Sequence, residues 1–448
     1  MSERELEKGN ITGHIIYLAL PMLIINLMQN GVSVYDMFLL GKIGVKAQAA
    51  VTIALFIVNI FWAIEGGLVV GTTAIISRYA GMKDKEKLKT VLINLIITAY
   101  IIGIIYAIII YFTMDNILVF FNARGETFEL SRKYLRMMLF SIMNDSGLFV
   151  FFTALRAAGY IKKHFVILLI TISANLILEP ILVLGLFGFP SLGVEGAALS
   201  RVFAYLISLG IMIWVFLTDK GILGVDLLKV KTDFKVITNY LKIAFPAVGQ
   251  GLVTAAGNMM LLKLYTSYGD AFIAGTAIGG RLDVLLMMFG WAIGSATAIM
   301  VGHNMGAGNV KRAEQSVMAS LKFYTIFTLA STIIYFSFSN LIAGIFTSDP
   351  VVLKTASLYL KIVSPFYALM GVGIIAIYGL NGAGATKTPM LVNIIGFFVV
   401  QIPLAYGLTK FTPLAEKGIF VSIAVTMFFQ GIVGWWLYSR GKWKTKKI

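Results

Sequence analysis

Twelve runs of apolar residues, each long enough to cross about 30 Å of hydrocarbon, dominate this chain. They lie near residues 15–39, 47–76, 90–112, 134–157, 164–187, 196–217, 237–264, 271–300, 318–346, 357–380, 388–409 and 418–438. Inside a bilayer no water is available to backbone N–H and C=O groups, so each run must satisfy them within itself, as an α-helix. The expectation is an all-α integral membrane protein with twelve transmembrane helices. Composition agrees: 58% of residues are hydrophobic and 13% charged, against about 25% charged in ordinary soluble domains.

The net charge of +16 does not point to nucleic acid, because the basic residues fall in short loops between apolar runs. There they attract anionic lipid and set topology. The termini and even-numbered loops carry about twice as many Lys and Arg as the odd-numbered loops, which predicts cytoplasmic N- and C-termini in a multi-pass cytoplasmic (inner) membrane protein. The mixed-charge start MSERELEKGNITGH does not read as a cleaved signal peptide. Cysteine is absent, which excludes disulfides and thiolate metal sites. His14, His164 and His303 are far apart in sequence and form no ligand cluster. No HExxH, GxSxG or aspartate-rich prenyl-phosphate motif is present, so an intramembrane enzyme is not expected. Nothing resembles the filter loop of a channel.

The one long polar connection follows the sixth span. It suggests a cytoplasmic segment at 1–14, a first lobe at 15–217, a linker at 218–236, a second lobe at 237–438 and a basic tail at 439–448. Sliding the chain along itself by 225 residues aligns ALP (19–21) with AFP (244–246), and Gly44 with Gly269. It also aligns RYAGMKDKEK (78–87) with HNMGAGNVKR (303–312), LRAAGY (155–160) with LNGAGA (380–385), and Gly193 with Gly418. Agreement at one offset from end to end indicates a duplication. Six spans per copy make the copies parallel repeats, related by an axis along the membrane normal, as in transporters that bind between their halves.

Ionisable residues inside the spans are costly, about 2.5–3.5 kcal/mol at a helix centre on insertion scales, and mark functional sites. Asn26, Gln29, Ser33 and Asp36 are spaced 3, 4 and 3 in the first span and so share a helix face. Pro21 interrupts that helix and supplies a place to bend. In the fifth span, Asn175 precedes Glu179 by one turn, and Pro180, which follows it, is a second expected hinge. Asp36 and Glu179 are taken as a pair, with Arg201 of the sixth span as the alternative, structural partner of Glu179. Glu65 and Asp283 are further candidates for a polar cavity, and Asp283, next to Arg281, reads as a charge near a span end. Asp145 reads as an interfacial residue near the start of the fourth span. A carboxyl group shielded from water holds a proton or a cation, but not both well, and this competition is the minimum that antiport requires. The Phe (32) and Met (20) content suits lipid contact, packing and an adaptable pocket.

Taken together, ALP and AFP, VGHNMGAGNVKRAEQ and its echo ISRYAGMKDKEKLK, LRAAGY, LNGAGATKTPM and NLILEP resemble the multidrug and toxic compound extrusion (MATE) family along essentially the whole chain. The resemblance implies two six-helix lobes in a V shape. It also implies export of cationic or amphipathic small molecules in exchange for H⁺ or Na⁺. A monomer in lipid with no cofactor beyond the coupling ion is expected. In the DinF-like and archaeal-type branch it assigns ion or proton coupling to Asp36, Glu179 and Asn175, with Na⁺ as the one metal these three would hold. The same branch assigns proton-linked bending to Pro21. Glu179 stands where the family usually has Asp, and Tyr160, Asn381 and Ala385 depart from the usual loop motifs. No carboxylate lies in 240–264 or 358–380, unlike a branch with coupling acids in helices seven and ten. A lipid or lipid-linked oligosaccharide flippase of related architecture is the alternative. It would need clustered basic groups, whereas Arg201, Arg281, Lys242, Lys263 and Lys322 are scattered.

Overall fold

In the computed structural model, residues 5–218 and 232–446 are described. Most of the expected linker, together with residues 1–4 of the N-terminal segment and 447–448 of the basic tail, lies outside them. Every regular element among the described residues is helical. The first six spans are α1 (Ile11–Ile43), α2 (Val45–Met82), α3 (Lys85–Phe120), α4 (Gly125–Ala157), α5 (Ile161–Leu184) and α6 (Gly193–Thr218). The seventh and eighth are α7 (Phe234–Tyr265) and α8 (Asp270–Gly306). The ninth is α9 (Val310–Ser337), continued by the short α10 (Ser339–Gly344).

The tenth span is broken into α11 (Pro350–Val363) and α12 (Tyr367–Gly382) by a tight turn at Ser364–Phe366, where Pro365 has no N–H to continue the ladder. The eleventh joins α13 (Lys387–Ile394) to α14 (Ile402–Phe411) through a π-helical stretch, Ile395–Gln401. The twelfth is α15 (Lys417–Ser439). Among the described residues, eleven spans are long and apolar enough to cross a bilayer on composition alone. α7 has the length, 32 residues, but Lys242, Gln250 and Asn258 dilute its hydropathy.

The chain groups into two compact units, Pro21–Lys242 and Ile243–Ile448, with Glu5–Leu20 belonging to the second. The change of unit inside α1 therefore falls at Pro21, and α1 stays helical through it. In the first unit α4 packs against α2, α3 and α6, and α5 against α6. Gly196 permits that last crossing, since a Cβ there would lie 2.5 Å from the carbonyl oxygen of Leu182. In the second unit α8 packs against α9, α11 and α12, and α12 against α15.

The duplication is visible in the backbone itself. Asp84 caps α3 by accepting from the Lys87 N–H (3.1 Å), and Asn309, one repeat later, caps α9 by accepting from the Arg312 N–H (3.0 Å). After α4, Gly159 adopts φ +91°, and after α12 its equivalent Gly384 adopts φ +78°, a region open to glycine without strain. The closing bonds match too: Tyr160 N–H to Leu155 C=O at 2.8 Å, and Ala385 N–H to Leu380 C=O at 2.9 Å. Tyr160 and Ala385 thus depart from the family motif in side chain while donating the same backbone bond.

Candidate functional site

Four carboxyl groups and one guanidinium come together in the first unit. Asp36 on α1 and Glu179 on α5 interact directly, and each feels the charge of Arg201 on α6. The field of Arg201 also reaches Glu65 on α2 and Asp145 on α4. Its guanidinium sits over the Trp62 ring, 5.6 Å from the centroid. The alternative partner of Glu179 is therefore the shared counter-charge of the whole group. Tyr134 and Tyr205 lie in the same field.

Glu179 is 1% exposed, Glu65 3% and Asp145 4%, whereas Asp36 is half-buried. Among the described residues, neither oxygen of Glu179 has a hydrogen-bond partner of good geometry, nor does Oδ1 of Asp36. Buried carboxylate oxygens are normally satisfied, and each exception calls for a reason. Pro180, the residue after Glu179, also leaves the Leu176 carbonyl without its usual helical donor. Asn175, one turn before Glu179, donates to the Ser200 hydroxyl at 3.0 Å and so ties α5 to α6.

A cavity of about 370 Å³ opens beside this group, lined by Gln29 and Ser33 of α1, Glu65 of α2, Asp145 of α4, Asn175 of α5, and Arg201 and Tyr205 of α6. Asp36 and Glu179 stand outside its lining. Asn26 lines a smaller cavity of about 200 Å³ that shares Gln29 and has Arg156 and His164 on its wall. The polar face of α1 is thus divided between two cavities. Ser33 turns its hydroxyl to the Gln29 carbonyl (3.2 Å). Among the described residues, no group of three or more His, Asp or Glu is arranged to hold a metal ion.

Two sequence expectations need correction. Asp145 is not interfacial: α4 begins at Gly125, nine residues before the apolar run, so Asp145 lies well inside the helix, where Ser141 donates to it at 3.0 Å. The missed signal was the amphipathic stretch GETFELSRK, which is helical although it is not hydrophobic. Asp283 is likewise not at a span end beside Arg281. It is 6% exposed within α8, its Oδ2 accepts from the Tyr359 hydroxyl at 2.5 Å, and its Oδ1 accepts from Tyr367, while Arg281 is exposed. Asp283 belongs to the second unit and is not part of the first-unit group.

The family model MatE matches residues 21–181 and again 246–407, two copies beginning at Pro21 and Pro246. The chain is similar to a protein described as a probable multidrug resistance protein NorM from Thermotoga maritima, 25% identical over 99% of this chain and 95% of that one. It is similar to an FAD transporter from Shewanella oneidensis, 24% identical over 95% and 94%. Its fold matches a solved transporter of the MOP superfamily from Pyrococcus furiosus with TM-score 0.90, at 23% identity over 99% and 98% of the two chains.

Proposed function

The chain belongs to the MatE family of membrane transporters, and from that premise we propose that it is a multidrug exporter working as a cation/drug antiporter. In this reading it extrudes cationic or amphipathic organic compounds by alternating access, and H⁺ or Na⁺ entry drives the cycle. Moving one charge across the membrane supplies about 2.3 kcal/mol per 100 mV, enough for a steep outward cargo gradient.

The observation that carries the reading is the Asp36–Glu179 pair. Two acids in contact, shielded from water, with unmade hydrogen bonds and one shared arginine, cannot comfortably both ionise. Taking up a cation relieves the repulsion, and the pair's place on α1 and α5 couples that event to helix position. Pro21 supports the same mechanism. It carries no N–H to continue the helical ladder of α1, and the change between compact units falls there. Asn175 stands beside the pair as a further oxygen donor for Na⁺ or as the anchor of α5 on α6. Against a phosphate-bearing cargo in this cavity stands the excess of acids over the single lining guanidinium.

The test is gradient-driven transport in proteoliposomes, with an imposed proton gradient and with sodium present or absent. Asp36→Asn and Glu179→Gln are expected to uncouple cargo movement from the gradient, and wild-type coupling in both would remove the pair from the mechanism. Transport of FAD with no response to cationic dyes would replace the proposed cargo class.

A further inference from the structure

The second unit contains a cavity of about 480 Å³ with Asp283 in its wall. Two phenols fix that carboxyl group, Tyr359 donating to Oδ2 (2.5 Å) and Tyr367 to Oδ1. With both oxygens accepting, the group is held in an acceptor geometry, and each oxygen keeps a further lone pair. Among the described residues, no Lys or Arg lines the cavity. Met287, Met370, Met427 and Phe397 make its walls adaptable and apolar.

A second observation points independently to a ligand. Gln401 lines the same cavity at the end of the π-helical stretch, is 95% buried by its 5% exposure, and its Oε1 has no hydrogen-bond partner among the described residues. π-Helical turns inside α-helices recur at functional sites.

The repeat explains how this cavity arose. At the 225-residue offset, Ser33, Trp62, Asp145 and Arg201 of the first-unit cavity correspond to Asn258, Met287, Met370 and Thr426, which line the second. Where the first cavity has Asp145 and Arg201, the second has methionine and threonine. Asp283, at a position where the first copy has Val58, supplies a new lone negative charge.

We propose that the second-unit cavity is a binding site for a lipophilic organic monocation, with Asp283 as its counter-charge and Gln401 as a polar contact. This inference rests on the exporter reading for its biological meaning, but its test does not. Purified full-length protein is equilibrated with radiolabelled tetraphenylphosphonium, and with tetraphenylborate as the anion of similar size and shape. The wild type is expected to bind the cation and not the anion. Asp283→Asn should weaken cation binding tenfold or more.

Gly280 also lines the cavity, and an added Cβ there meets no atom within 4 Å. Gly280→Leu starts from a Cβ position with open space and adds bulk to the cavity lining, and should block binding in a protein with wild-type thermal stability. Wild-type affinity in both variants, equal binding of tetraphenylborate, or no cation binding by the wild type would each overturn the proposal. Failure of gradient-driven transport with binding intact would defeat the exporter reading alone.

Discussion

Replacing Arg201 with Met tests whether one guanidinium holds the first-unit acids in place. Methionine keeps much of the apolar stem beside Trp62 and removes only the charge. The stacking lost on Trp62 is worth about 0.5–1 kcal/mol. The larger loss is the field on Asp36, Glu65, Asp145 and Glu179. One unit charge at 4 Å is worth about 4 kcal/mol at an effective dielectric of 20, and acids left without a counter-charge take up protons and so cap the penalty. A total loss of about 2–4 kcal/mol at pH 8 follows.

The sign with pH is definite. In the unfolded chain carboxyl groups ionise above about pH 4, so folding the variant at high pH must either bury uncompensated charge or bind protons, both unfavourable as pH rises. Near pH 5 each proton taken up on folding costs only about 1.4 kcal/mol, against about 5 kcal/mol at pH 8, so the loss should shrink to about 1–2 kcal/mol, including the stacking. Thermal unfolding of detergent-solubilised wild type and Arg201→Met across pH 5–8 measures this. A loss that is the same at both ends, or one that grows toward low pH, would refute the shared counter-charge.

Two further predictions concern the fold that carries the site. Asp84→Ala and Asn309→Ala each remove a helix cap and should cost about 1 kcal/mol apiece, adding within error because the caps lie in different units; unequal or strongly coupled losses in thermal scans would contradict repeat-equivalent roles. Gly196→Val drives a side chain into the Leu182 carbonyl at the α5–α6 crossing, so it should displace Glu179 and abolish folded yield or coupling together, and a variant with normal yield and coupling would show that the crossing is not tight.

Much of the architecture was legible because apolar length and duplicated punctuation are local properties. Runs of Ile, Leu, Val and Phe place eleven of the spans and the repeat places the more polar seventh, and Gly159 and Gly384, Asp84 and Asn309 recur at one offset because a helix end needs the same backbone chemistry in each copy. The helix face of α1 was equally readable, since 3.6 residues per turn aligns Asn26, Gln29, Ser33 and Asp36. Polar helical extensions escaped notice because hydropathy measures lipid contact, not helicity. Hence α4 starts earlier than its apolar run, and Asp145 moves from an edge to the interior.

The sequence by itself determined the class of protein, the number and repeat of its helices, and the acids whose burial demands an explanation. Only the tertiary structure decided which of those acids share a field. Arg201 answers to residues from α1, α2, α4 and α5 at once, and Asp283 to two tyrosines more than seventy residues away in the chain. The physical reason is that a helix period dictates which way a side chain faces along its own axis, while its neighbours depend on which helices pack together, a property of no single segment.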